Sequence, residues 1–482
     1  MILYVFIFAF YTTYFYSDIY MPIFVSATTI IVVGLHLLWL FRKRRIGVLT
    51  LLFYAVYILP FIHVFPYLWY DFSSLPPENL WGLAVNPYTT NKTIIELMSM
   101  LGATGAIGFI VGSMCIKGNL NAFITQDSIK GYRKSFKSLN LTNFILWSIV
   151  AVAFTWISSP QESLFGSNYT QSIAINHNWN FTSAWMVSYS IIMFVLADSM
   201  FEVSPFHRKL KRQIVLFSLF LIVVWFQLLR GDRESLTLVV SVVFMYFIWG
   251  VNLKSNRQIK TKQNWSMIII MALFVFTFSY FIGITRQSLT DVDSISSLLS
   301  VVENLVDTGE IRIDNMVSGT WSAVLLTPLS VAGDHVNGSL AIKYGQTYVD
   351  LLGSIIPGFV ADWIGYTRPI TGNQGPAWDM RYGIGGTHAL VVPFMNFRII
   401  GVFFILGLWG YVFTKIEHTV LKNMTVSNLA LLGMIALCLP HWLWYGEKYI
   451  MNIIVLWFGL SFIYRLRMIN RVLLPPSTVE NV

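Results

Sequence analysis

Arg230 and Arg233 stand three residues apart in Leu229-Arg230-Gly231-Asp232-Arg233-Glu234-Ser235, a short polar turn between two apolar runs. Gly231 lets the backbone reverse there. Each guanidinium presents a planar fork of donors suited to phosphate or carboxylate oxygens. The spacing leaves two uses open: a clamp for an anion, or ion pairs with Asp232 and Glu234. Arg286 ends a later apolar run, as a phosphate contact or as an anchor that snorkels to the membrane edge. Arg368 and Arg381 flank a Gly-rich stretch, Thr371–His388, in which Asp379 precedes Arg381 by two residues. Lys448 follows Glu447 in a short turn between two further apolar runs. Groups able to take a proton are His388, His335, Asp379, Glu234 and Glu447. His388 follows Gly385-Gly386 at the start of an apolar run, where partial burial tunes an imidazole across neutrality. No metal-ligand spacing, phosphate-cradling loop or nucleophile turn is present, so no metal and no cofactor is expected.

These residues need a scaffold, and composition dictates which kind. Hydrophobic residues make up 56% of the 482, and charged residues only 11%. Mean hydropathy is +0.64. A soluble domain carries about 25% charged residues, so the bilayer must be part of this chain's solvent. The expected fold is an all-α polytopic membrane protein. Apolar stretches long enough to cross a core of roughly 30 Å fall at about 1–16, 22–41, 46–68, 93–116, 141–158, 181–202, 213–229, 236–251, 265–285, 390–413, 427–445 and 448–464. That is about twelve transmembrane helices. The apolar start reads as a retained first span. Cys115 and Cys438 both lie inside apolar runs and suggest packing rather than a disulfide framework.

The net charge of +9 does not point to nucleic acid, because the basic residues form short clusters between apolar runs instead of one stripe. Twenty-two of the 32 Lys and Arg fall in alternate loops, beginning with Arg42–Arg45. Under the positive-inside rule those loops face the cytosol, as do both termini. The remaining ten are Lys92, Arg230, Arg233, Arg286, Arg312, Lys343, Arg368, Arg381, Arg398 and Lys448. Their place on the translocated side opposes the rule and calls for a reason. The expected organisation is residues 1–286 as helices 1–9, 287–389 as an extracytoplasmic loop, 390–466 as helices 10–12, and 467–482 as a cytoplasmic tail. The loop is partly helical: Ile295–Val306 and Tyr344–Gly365 show helical spacing, the latter broken by Pro357. Loops of this length with helices of their own are usually functional. Its aromatic segments either lie in the membrane interface or cap a cavity.

Three motifs resemble the bacterial oligosaccharide repeat-unit polymerases, the group that makes O-antigen and enterobacterial common antigen. One is Arg230-Gly231-Asp232-Arg233 opening an apolar run. The second is Tyr344-Gly345-Gln346-Thr347-Tyr348, leading to Ile356-Pro357 and Arg368-Pro369. The third is Gly386-Thr387-His388 followed by Phe394-Met395-Asn396-Phe397 and Gly401. Two departures stand out: Val392 and Pro393 occupy a place where many members carry Glu, and Arg398 stands where Gly often follows Asn–Phe.

The resemblance implies a GT-C-like glycosyltransferase architecture in the bacterial cytoplasmic (inner) membrane. It implies that undecaprenyl-pyrophosphate-linked repeat units are joined at the outer face, with the lipid bilayer, a chain-length regulator and a flippase as partners. A hydroxyl of the acceptor sugar would attack the anomeric carbon of the donor, and lipid pyrophosphate would leave. Arg230, Arg233, Arg286, Arg368, Arg381 and Lys448 would hold the pyrophosphate, Arg233 stabilising the charge that develops on it. His388 is the first choice of base, with Glu447 and Asp379 in reserve. Tyr348, Trp378 and Tyr382 would stack on sugars. An O-antigen ligase-like transferase uses the same donor chemistry and stays open. A lipid-linked-sugar flippase or transporter would place charges at mid-span, whereas here Glu96 and Asp198 are the main exceptions, both near helix ends.

Overall fold

The computed structural model describes residues 20–42, 48–57, 91–116, 139–158, 184–201, 206–229, 237–245, 300, 303–304, 307, 327–356, 358–369 and 388–473. The expected spans 1–16 and 265–285 lie outside the described residues. Among those described, every regular element is a helix. They are α1 (Tyr20–Arg42), α2 (Val48–Tyr57), α3 (Lys92–Met114), α4 (Leu141–Ser158), α5 (Ala184–Phe201), α6 (Phe206–Leu229), α7 (Gln346–Ser354), α8 (Gly358–Trp363), α9 (His388–Lys422), α10 (Val426–Tyr445) and α11 (Lys448–Leu473). Shorter helices occupy 237–245 and 327–336.

Five helices among the described residues are long and apolar enough to cross a membrane: Glu96–Met114, Ala184–Phe201, His388–Val420, Val426–Leu443 and Lys448–Leu466. Their exposed large side chains fall at helical spacing. On α9 they include Ile400, Phe404, Leu408 and Tyr411; on α11 they include Val455, Phe458, Phe462 and Leu466. In water such stripes would drive aggregation; facing acyl chains they are at home. The chain is an α-helical membrane protein.

The chain divides into two compact units. Unit 1 comprises Met1–Phe123, Asp293–Thr419 and Leu439–Tyr449; unit 2 comprises Ile124–Val292, Val420–Cys438 and Ile450–Val482.

In unit 1, α3 meets α9 backbone to backbone. A Cβ on Gly108 would collide with the Phe403 carbonyl oxygen, and one on Gly112 with that of Gly407. Small residues four apart let membrane helices approach closely where there is no hydrophobic force between them and lipid is equally apolar. Phe53 of α2 stacks on Phe109 of α3, ring centroids 3.7 Å apart, and Trp442 closes over Phe53 and Phe413. The buried Glu417 carboxylate accepts the Leu49 amide hydrogen at the N-terminus of α2. A helix start leaves such amides without an intrahelical acceptor.

The run 390–413 is not one straight helix, as hydropathy suggests. At Phe397 (φ −138°, ψ 17°) and Arg398 (φ 57°, ψ −149°) α9 breaks. Its first arm, 388–396, then turns back along the second, 399–422. A Cβ on Gly105 would lie 2.8 Å from Leu406 and 2.9 Å from Leu390. Those two leucines would be about 24 Å apart in a straight helix. Gly401 permits the reversal, since a Cβ there would sit 2.5 Å from the Pro393 carbonyl oxygen.

In unit 2, α4, α5 and α6 pack against one another. Asp198, an acidic residue within an apolar helix, is fully buried and fully engaged. Its carboxylate pairs with Arg212 at 3.0 Å and accepts from the Tyr464 hydroxyl at 2.7 Å and from the Leu139 amide at 3.2 Å. The Arg212 guanidinium also lies over the Phe144 ring, 5.1 Å from its centroid.

Candidate functional site

Unit 1 brings four of the sequence-predicted residues together. Gly446 takes φ 95° and turns the chain between α10 and α11, which carries Glu447 into the interior. Its side chain is buried. From α7, the Tyr348 hydroxyl reaches Glu447 Oε1 at 3.5 Å, the long limit of a hydrogen bond. Lys448 follows directly and is half-buried. Arg368, exposed after α8, is near enough for its charge to be felt at Lys448. An acid, a phenol and two cations therefore share one locality, drawn from three places in the chain.

Burial raises the Glu447 pKa to about 7, from an ordinary 4.5; its own backbone amide and the Tyr348 hydroxyl pull it partly back. Tyr348 is pushed well above the usual phenol range, by burial first and then by the charge and hydrogen bond of Glu447. The proton of this pair thus stays on the phenol, and Tyr348 donates to the carboxylate. A carboxyl group poised near neutrality exchanges protons in either direction at working pH.

Asn396 fixes the geometry. This fully buried side chain accepts the Gly345 amide hydrogen at 2.8 Å, donates to the Thr347 hydroxyl, and donates to the Val392 carbonyl at 2.8 Å. The Lys343 amide donates to the Met395 carbonyl at 3.1 Å, which the break in α9 leaves without its helical partner. Phe397 at the break stacks parallel to Tyr348, centroids 6.4 Å apart. The start of α7 is thereby bolted to the break, and Tyr348 is aimed at Glu447. Asn396 belongs to the motif Phe394-Met395-Asn396-Phe397, which by itself gives it no anchoring role. The available signal was an amide side chain within an apolar run.

His388 has different partners. It begins the first arm of α9 with φ 50°, buried, its ring 6.1 Å from that of Tyr57. Its Nδ1 accepts the Leu390 amide hydrogen at 3.3 Å, as an N-cap side chain does. With Nδ1 so engaged, a neutral ring carries its proton on Nε2, which is then a donor and not a base. His335 packs edge-on against Phe394, centroids 5.1 Å apart. Burial and then the charge of Arg398 lower its pKa. Arg398 donates to the Leu340 carbonyl at 2.6 Å and lies over the Phe394 ring at 5.6 Å. Arg230, Arg233, Arg286, Trp378, Asp379, Arg381 and Tyr382 lie outside the described residues.

Comparison of the chain with protein-family models, with curated proteins and with solved structures gives no match.

Proposed function

We propose that the protein is a membrane glycosyltransferase that polymerises undecaprenyl-pyrophosphate-linked oligosaccharide repeat units at the outer face of the bacterial cytoplasmic membrane. In this reading about twelve helices of GT-C-like arrangement cross the membrane, with both termini cytosolic. The observation that carries it is the buried Glu447 carboxyl beside Tyr348, next to the cations Lys448 and Arg368. Glycosyl transfer from a lipid pyrophosphate needs those two things: a base for the acceptor hydroxyl and fixed positive charge for the leaving group.

The step runs as follows. Glu447 takes the hydrogen of the acceptor hydroxyl as its oxygen bonds to the donor's anomeric carbon. The anomeric carbon–oxygen bond to pyrophosphate breaks, and its electron pair leaves with the lipid pyrophosphate. Lys448 and Arg368 hold the negative charge, joined in this reading by Arg230, Arg233, Arg286 and Arg381. Tyr348 keeps the carboxylate oriented, and Trp378 and Tyr382 lie against the sugar. His388 caps a helix instead of moving the proton, and Asp379 remains a reserve.

The test is reconstitution. Purified protein in nanodiscs is given lipid-pyrophosphate repeat units extracted from cells that cannot polymerise them. A ladder of products one repeat apart is expected, lost in Glu447→Gln and in the double variant Arg368→Ala, Lys448→Ala. No ladder from the unaltered protein would overturn the function. A single transfer to a different acceptor would make it a ligase-type enzyme. Normal ladders from both variants would overturn the site.

A further inference from the structure

Helix α7 has a buried face and, apart from it, exposed apolar side chains. Thr347, Leu351 and Ser354 are buried, whereas Val349 is 64% and Leu352 61% exposed. Just beyond, Trp363 is 86% exposed, with Ile364 and Tyr366 also open. No described side chain covers this surface, and its depth indicates what does.

The second arm of α9 carries no charge from Ile399 to Thr414. Sixteen helical residues rise about 24 Å, against a hydrocarbon core of roughly 30 Å. Lys415 and Glu417 mark one edge of that core, so the break at Phe397–Arg398 stands near the other. Helix α7 is tied to this break by Lys343 to Met395, Gly345 to Asn396, and Tyr348 on Phe397. Its level is therefore that of the headgroups. The exposed stripe Ile400–Phe404 on the second arm begins two residues below the break and faces acyl chains.

We propose that the exposed face of α7 and α8, centred on Val349, Leu352 and Trp363, docks into the headgroup layer of the bilayer that the protein's own helices cross, at the end of α9 opposite Lys415. A short helix with apolar side chains on its outer face, followed by Trp and Tyr, has the chemistry of an interfacial element, because amphipathic rings prefer that layer. Docking there would hold the start of α7, and with it Tyr348, at a fixed height above the bilayer. The proposal does not depend on which reaction the protein performs.

The test is depth-resolved quenching in the full-length protein. Cys115 and Cys438 are replaced by Ala, and single cysteines are introduced as Val349→Cys, Trp363→Cys, Phe404→Cys and Asn337→Cys. Each carries a bimane and is placed in nanodiscs whose lipids bear a spin label at the headgroup or at mid-chain. Asn337 lies in an exposed turn and serves as the site in water; Phe404 serves as the site in the core. Positions 349 and 363 are expected to be quenched several-fold more by the headgroup label than by the mid-chain label, and position 404 the reverse. Quenching at 349 and 363 no stronger than at 337 would overturn the proposal and point to water or a second copy on this face. A mid-chain preference at 349 and 363 would also overturn it, placing the helices inside the core. All four label sites are exposed, so the labels leave packing intact, and elution as a single species by size exclusion checks that the buried Cys438→Ala change does too.

Discussion

Replacing Glu447 with Gln keeps the shape and the Tyr348 contact but removes the ionisation. The wild-type carboxyl titrates at about 7. A base with that pKa is about one-tenth ionised at pH 6 and about nine-tenths at pH 8. The polymerisation rate should then rise about tenfold across that interval, with its midpoint near neutrality. Glutamine should lower the rate by roughly 10²–10⁴, the usual contribution of general-base catalysis, and should abolish the slope. Tyr348→Phe removes a donor to the charged form, which raises the carboxyl pKa. Taking about 1 kcal/mol for so long a hydrogen bond, the midpoint should move up by roughly half a unit to one unit. The assay is the initial rate of ladder formation at saturating lipid-linked substrate, in buffers of equal ionic strength. A Gln variant that kept the wild-type pH slope would refute the assignment of the base. So would a Phe variant whose midpoint moved down.

The same carboxyl makes a prediction independent of activity. Because its folded pKa is raised above 4.5, its contribution to stability is fully present below about pH 4.5 and is lost as pH rises through about 7. The loss is about 3 kcal/mol, so Glu447→Gln should outlast wild type in thermal inactivation at pH 8 and match it at pH 5. Equal half-lives at pH 8 would count against the burial argument. In the helix crossing, Gly108→Leu or Gly112→Leu forces backbone apart and should abolish monodisperse protein in detergent, while Gly34→Leu, where a side chain meets nothing, should not. In unit 2, Asp198→Asn leaves Arg212 buried without its countercharge and should cost about 3–5 kcal/mol. Asp198→Asn combined with Arg212→Met should recover much of the lost melting temperature, and failure to recover would mean the pair does more than neutralise itself.

Hydropathy made the long helices legible. The sequence expectation of 93–116, 141–158 and 427–445 compares with α3 at Lys92–Met114, α4 at Leu141–Ser158 and α10 at Val426–Tyr445. The reason is physical: in hydrocarbon every backbone amide must be paired within its own segment, so an apolar run of that length has one solution. The break in α9 was not legible by the same rule, because residues on both sides of it are equally apolar. Its signals were local: Pro393, Asn396 and Gly401 inside a run that otherwise reads as one span. The crossing glycines were open to the same reading, at Gly105, Gly108 and Gly112. The site was legible as a set of residue types and not as a set of partners. Tyr348 and Glu447 are 99 residues apart, and no spacing rule joins a loop helix to a turn that far along the chain. His388 drew attention because a histidine beside glycines can be tuned; its backbone at φ 50° and its hydrogen bond to Leu390 are properties of a helix start.

The break in α9 is costly. Interrupting a helix beside the hydrocarbon core frees carbonyl and amide groups that lipid cannot satisfy, and non-Gly residues at positive φ cost about 1–3 kcal/mol each. Three such residues, Tyr344, His388 and Arg398, lie on the elements that meet at or lead into this break. A fold would not keep these costs without compensation. Here the break gains partners that a straight helix could not offer: the Met395 carbonyl receives Lys343, the Arg398 side chain reaches Leu340, and the Asn396 side chain holds Gly345 and Thr347. All of these partners come from residues 340–347, the segment that leads into and begins α7. The strain in α9 is thus exchanged for a fixed α7, which carries Tyr348 onto Glu447. If this exchange is why the break persists, Asn396→Ala should disturb the Glu447 titration more than it disturbs the fold. The midpoint of the pH–rate profile should shift while detergent-solubilised protein still elutes as one species. A variant that lost stability but kept the wild-type midpoint would mean that the break serves packing alone.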